Sequence, residues 1–231
     1  MKSETLAAVL KVRAEKRAAV LLTNLQSGKE RLVEASQLAS LQATESELAE
    51  EIAAALRSDK SRTIETDDGP VFLNVYNPAL RMIIVGAVHI AQPLARMAEL
   101  AGYGVTVGDP RRAFASEERF PGVELSSEWP DDALADFGLD ARTAVVTLTH
   151  DPKLDDPALE VALKSDAFYI GSLGSNRTHA SRLERLTEMG FDQKSTDRIH
   201  GPVGLNIGAK SPAEIAVSIL GQVTETLRTS G

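Results

Sequence analysis

Three short stretches hold the residues best suited to chemistry, and each follows an apolar run. Gly86-Ala87-Val88-His89-Ile90-Ala91 follows Arg81-Met82-Ile83-Ile84-Val85. His150-Asp151-Pro152 follows the β-branched run Thr143 to Thr149. Gly171-Ser172-Leu173-Gly174-Ser175-Asn176-Arg177 follows Ala167 to Ile170. The third stretch is the best anion site in the chain. Gly171 and Gly174 let backbone N–H groups come close to a phosphate, and Ser172, Ser175 and Asn176 add neutral donors. The helix expected next contributes its N-terminal dipole. Arg177 supplies a forked cation. His89, His150 and Asp151 suit proton transfer, or hydrogen bonding to a heterocycle. Thr149-His150-Asp151-Pro152 also reads as a helix cap followed by proline. No spacing matches a Ser-His-Asp triad or a metal-ligand set, so no catalytic or metal-binding residue is assigned.

A continuous apolar run followed by a glycine turn and a helix marks a parallel strand covered on both faces. Arg81 to Ala91 therefore opens a dinucleotide-binding unit, with Gly86 at the sharp turn. The usual Gly-x-Gly-x-x-Gly pattern is altered here. Val88 stands at the second glycine, where a branched side chain meets an approaching pyrophosphate, and Ala91 stands at the third. A helix over 91–100 leads to a second strand over 103–107, which runs into Gly108-Asp109-Pro110-Arg111-Arg112. An acid about 20 residues beyond the glycine turn commonly binds a ribose hydroxyl. Asp109 is placed for that role, or is simply a loop acid before proline. Arg111 and Arg112 add positive charge beside it.

Further strands are expected at 122–125, 143–149 and 167–170. Helices are expected at 130–137, 154–164, from 177 to 189, and from Pro212, where Ser211 caps, Pro212 takes the first position and Glu214 the first turn. Strands alternating with helices give an α/β fold with a doubly wound parallel sheet over 81–231. Ligands of such sheets bind outside the carboxyl ends of the strands, where all three stretches fall. Residues 1–80 read as a separate small α+β domain. It has helices at 5–17 and 44–56, strands at 18–25 and 30–35, and a hairpin of 61–65 with 71–76 around Asp67-Asp68-Gly69-Pro70. Asn77 to Leu80 forms the hinge.

The chain has 231 residues, 43% hydrophobic and 25% charged, with a formal net charge of -8. That balance argues against a nucleic-acid surface. The absence of cysteine excludes disulfides, thiolate metal sites and a cysteine nucleophile within these residues. No apolar run approaches the roughly 20 residues of a membrane span. Met1-Lys2-Ser3-Glu4 lacks the shape of a signal peptide, so a cytoplasmic location is expected.

Longer runs extend these motifs. They are Val85 to Ala91, Val107-Gly108-Asp109-Pro110-Arg111, Thr147-Leu148-Thr149-His150-Asp151, Tyr169 to Ser175, and Pro202-Val203-Gly204-Leu205-Asn206-Ile207-Gly208-Ala209-Lys210-Ser211-Pro212-Ala213-Glu214-Ile215-Ala216-Val217-Ser218-Ile219. In that order they resemble the XdhC/CoxI family of maturation proteins for molybdenum hydroxylases. The resemblance implies a Rossmann-like C-terminal domain and a separate N-terminal one. It also implies binding of the molybdenum cofactor, molybdopterin or its dinucleotide form, as cargo. The cofactor is held while its terminal sulfur is installed, then passed to a xanthine dehydrogenase or CO dehydrogenase-type hydroxylase. A hydroxylase client, a cysteine desulfurase and a second copy of the chain are the implied partners. Two features depart from the family. Val88 replaces a frequent glycine, and the Cys-Gly-Gly segment of many members is missing. An NAD(P)-dependent oxidoreductase on the same fold is the alternative, favoured by Asp109 and the first turn. A pure interaction protein with a vestigial cleft is the third reading.

Overall fold

The computed structural model describes residues 2–229. The chain divides into two compact units after Pro78.

The first unit begins with α1 (Ser3–Ala14), which buries Val9 and Val12. β1 (Ala19–Asn24) and β2 (Glu30–Glu34) follow as an antiparallel pair. A 3-10 turn (Ala35–Gln37) leads into the short α2 (Leu38–Gln42) and then α3 (Ser46–Ser58). β3 (Arg62–Thr66) and β4 (Gly69–Tyr76) complete an antiparallel sheet of order β2-β1-β4-β3. Ala49, Ile52 and Ala55 lie at helical spacing on α3 and pack on Val20, Leu22, Val71 and Leu73 of the sheet. α3 starts at Ser46 rather than Thr44, so Thr44 and Glu45 stand ahead of the helix.

The second unit runs strand to helix from β5 (Arg81–Val85) through α4 (Ala91–Leu100), β6 (Gly104–Gly108) and the short β7 (Glu124–Ser126). Then come α5 (Pro130–Phe137), β8 (Thr143–Thr147), α6 (Pro152–Leu163) and β9 (Tyr169–Ser172). α7 (Asn176–Glu188), α8 (Gln193–Thr196), β10 (Ile199–His200) and α9 (Pro212–Thr229) finish it. The sheet is parallel, with order β10-β9-β8-β5-β6-β7. Its strands alternate between two cores, as the two-residue period requires. Met82, Ile84, Ala144 and Val146 face α4 and α9. Ile83, Val85 and Val145 face the layer of α5 and α6. Complete burial of one such side chain contributes about 1.5–3 kcal/mol.

This is the strand order of a doubly wound dinucleotide-binding sheet, and it reverses between β5 and β8. The helix after Gly86 begins at Ala91, as expected, with residues 86–90 forming a bend and turn. The strand expected at 143–149 ends at Thr147. The Thr149 hydroxyl accepts the Asp151 N–H at 3.0 Å, so the chain is already turning toward α6.

Candidate functional site

The loops at the carboxyl ends of β5, β6, β8 and β9 share one edge of the sheet. Gly86 has φ +107, and a Cβ there would lie 2.6 Å from Thr149 Cγ2. Only glycine meets both demands, so the first turn is pressed against the β8 loop. Val88 packs against the hydrophobic core, while His89 is exposed in the turn.

Several expected ligand residues are consumed by the fold. Asp109 is fully buried. Its Oδ2 accepts the Ala87 N–H at 2.9 Å and Arg111 Nη2 at 2.8 Å. Its Oδ1 accepts the Arg111 N–H at 3.0 Å and Arg111 Nε at 2.9 Å. Both oxygens are thus occupied, leaving none directed to a ribose hydroxyl in this arrangement. Burial pushes this carboxyl up, but Arg111 and the two backbone donors outweigh it and hold it below the ordinary value. Arg111 is committed to Asp109 and lies over the Phe114 ring at 4.7 Å.

Gly171 and Ser172 lie inside β9 rather than in the loop after it. A Cβ on Gly171 would stand 2.6 Å from Val203 Cγ2 and 2.8 Å from the Tyr169 ring, so this glycine serves packing. The buried Ser172 hydroxyl bonds Thr147 Oγ1 at 2.6 Å. Asp151 caps α6 by accepting the Lys153 N–H at 3.0 Å, as the capping alternative anticipated. Thr149 donates its hydroxyl to Asp155 Oδ1 at 2.7 Å.

His150 and Arg177 meet in one cleft. Its volume is about 250 Å³, and it lies between the start of α6 and one face of α7. His150 has φ +61, an uncommon conformation for a residue with a side chain. Ser175 caps α7 by accepting the Thr178 N–H at 3.1 Å, and Gly174 precedes it at φ +153. Ser175, Asn176 and Arg177 are exposed.

The deeper cleft is built by residues absent from the sequence reading. Arg182 and Arg185 join Arg177 on α7, and Asp155 faces them from α6. Arg182 is 2% exposed and donates Nη2 to the Leu173 carbonyl at 2.8 Å. Its Nε has no hydrogen-bond partner, and neither has the buried Asp155 Oδ2. Burial pushes the Arg182 guanidinium down, against the pull of Asp155 and Asp156. Burial pushes the Asp155 carboxyl up, against hydrogen bonds from Thr149 and the charge of Arg182. Arg185 makes a forked pair with Asp156, at 2.6 and 3.0 Å. The cleft is thus a cationic patch on a chain of net charge -8. Thr178, Ser181, Arg182 and Arg185 sit at helical spacing, and that periodicity was the available signal for the missed residues.

A doubly wound sheet with a cationic cleft at its carboxyl edge defines a Rossmann-type domain. Residues 82–223 match the XdhC Rossmann domain model, and the chain belongs to the XdhC family. It is 32% identical over 148 residues to the molybdenum cofactor insertion chaperone PaoD of Escherichia coli, a match that covers 64% of this chain and 40% of PaoD. It is 32% identical over 176 residues to a Bacillus subtilis protein named as a probable xanthine dehydrogenase subunit, covering 73% of this chain and 51% of that one. An uncharacterized Escherichia coli protein, YqeB, is 31% identical over 155 residues, covering 67% of this chain and 29% of YqeB. The chain therefore spans about half or less of these relatives. A crystal structure of a Bacillus halodurans protein named as a xanthine dehydrogenase shares the fold, with TM-score 0.69, 24% identity, and coverage of 98% of this chain and 67% of that one.

Proposed function

We propose that this chain is an accessory protein that binds the molybdenum cofactor as cargo and delivers it to a molybdenum hydroxylase. The observation that carries the reading is the α7 cleft, where Arg177 near the capped N-terminus and Arg182 and Arg185 further along line one face of the helix. The orphaned Nε of Arg182 fits an anion acceptor, because a buried donor without a partner costs about 1–3 kcal/mol. Arg177 is exposed and offers a forked contact to the phosphate of the cofactor. Ser175 and Asn176 border it with neutral hydrogen-bonding groups, and His150 closes the opposite wall. The name of PaoD supports the molybdenum cofactor as cargo, and that of the Bacillus subtilis relative supports a role beside a xanthine dehydrogenase.

In this reading sulfur for the cofactor is brought as the persulfide of a separate desulfurase, since these 231 residues offer no thiol. Here the protein's contribution is to hold and shield the cargo, in either its molybdopterin or its dinucleotide form. The occupied Asp109 carboxylate weighs against the NAD(P)-dependent alternative. Titrating the purified chain with molybdenum cofactor, NAD and NADP in parallel tests the reading. Tight cofactor binding that inorganic phosphate displaces is expected. Preferential nicotinamide binding would replace it with the oxidoreductase.

A further inference from the structure

The four-stranded sheet of the first unit ends in a free edge. β3 pairs only with β4, and no strand lies on its other side among the described residues. The Leu25 N–H donates to the Pro70 carbonyl at 2.8 Å, so Pro70 turns its backbone toward the β1 side. Successive residues of a strand direct their backbone groups to opposite sides. Val71 therefore faces β3, and its register partner Ile64 faces β4. Thr63 and Glu65 consequently turn their N–H and C=O groups outward. Both residues are exposed.

The side chains beside that edge form a groove of about 1130 Å³ against the first half of α3. Leu22, Leu48, Ile64 and Val71 give it an apolar floor. Its rim is acidic. Arg31 is taken by Glu45 at 2.8 Å, and Glu51 is taken by Arg62 at 2.5 Å. Glu47, Glu50, Glu65, Asp67 and Asp68 have no ion-pair partner among the described residues. No three of His, Asp or Glu converge as metal ligands among those residues, so the acids do not define a cation site.

We propose that the β3 edge receives a basic strand from a partner protein, which pairs with Thr63 and Glu65 and extends the sheet. Alternate side chains of the added strand would lie over Ile64 and reach the α3 rim, so apolar and cationic residues both find complements. The five residues of β3 accommodate a strand roughly 17 Å long. A second copy of the chain does not suit the edge, because it would bring an identical acidic rim against this one. This surface lies in the first unit and does not depend on the cofactor reading.

The test uses a fluorescein-labelled peptide, Lys-Thr-Val-Thr-Lys-Thr-Lys, whose alternate positions put Lys and Val on one face, with anisotropy read against the full chain. Glu47→Lys/Glu50→Lys should weaken binding at least ten-fold. Thr63→Pro removes an outward donor without removing a β3–β4 hydrogen bond, and should weaken binding similarly while circular dichroism stays unchanged. Glu99→Lys/Glu118→Lys makes the same charge change in the second unit and should alter affinity less than two-fold. An equal loss in that control would show attraction to overall charge and overturn the proposal. Unchanged binding of a peptide N-methylated on every residue would do the same, because neither of its edges keeps an N–H to pair with Thr63 and Glu65. Light scattering that shows a dimer broken by the Glu47→Lys/Glu50→Lys change would assign the edge to a second copy instead.

Discussion

The Asp109 carboxylate accepts the backbone N–H of Ala87 at 2.9 Å, joining the end of β6 to the glycine turn after β5. The acid that a dinucleotide pattern would aim at a ribose thus acts as a structural clamp. Its Arg111 partner closes the clamp from the other side.

Asp109→Asn should therefore lower stability by about 1–3 kcal/mol, since the amide nitrogen cannot accept from Ala87 or Arg111. The acid limb should also change. The folded Asp109 value is depressed. Its stabilisation is present above the unfolded value and is lost as pH falls through the lower folded one. Chemical denaturation of both proteins across the acid range measures this. A variant with wild-type stability would show that the clamp carries no weight.

Arg177 and Arg182 should separate binding from folding. Arg177 is exposed, so Arg177→Gln should hold stability within about 0.5 kcal/mol. Loss of one charge-assisted contact should weaken cofactor or phosphate binding roughly ten-fold. Arg182→Gln should reduce both, because it also strips the Leu173 carbonyl of its donor. Isothermal titration and thermal melts on the same samples make the comparison. Full retention by Arg177→Gln would remove Arg177 from the site.

Asp155 should behave in the opposite sense to Asp109. Its folded value is raised, chiefly by burial. Stability from such a group is complete below the unfolded value and is lost as pH rises through the folded one. Near neutral pH the buried carboxylate is thus unfavourable. Asp155→Asn keeps an oxygen for Thr149 and should raise the melting temperature there, with the gap closing in acid. It should also tighten phosphate binding, because a negative charge leaves the cleft. A lower neutral-pH melting temperature would contradict this.

Gly171→Ala should cost about 1–3 kcal/mol through overpacking against Val203 and Tyr169. Phosphate affinity of the folded fraction should hold, since Gly171 lies inside β9. A selective loss of binding with normal stability would return Gly171 to the site.

The architecture was legible because β5 and β8 are apolar on both faces and the intervening helices carry a clear apolar period, α5 being opened by Pro130 and closed by Gly138. Ser211-Pro212 marked the start of α9 for the same local reason. The cleft was legible only at its mouth. His150 and Arg177 stand out beside turns and prolines, whereas Arg182, Arg185 and Asp155 sit within helices, where an isolated charge resembles a solvated face. Which side of α7 faces α6 is a tertiary fact, and so is the burial of Arg182. Asp109, Gly171 and Ser172 were read as ligand groups because residue type alone does not show who already holds their hydrogen-bonding capacity or their space.

Gly86 is held by two independent locks. One is steric and can be picked: shrinking Thr149 to serine deletes the methyl that a Cβ would strike. The other is conformational, because φ +107 remains forbidding to any side chain whatever its neighbour's size. The pair is therefore asymmetric as a route of change. Position 149 is free to become smaller, yet no such change opens position 86 to a larger residue, so the first turn admits no compensating partner.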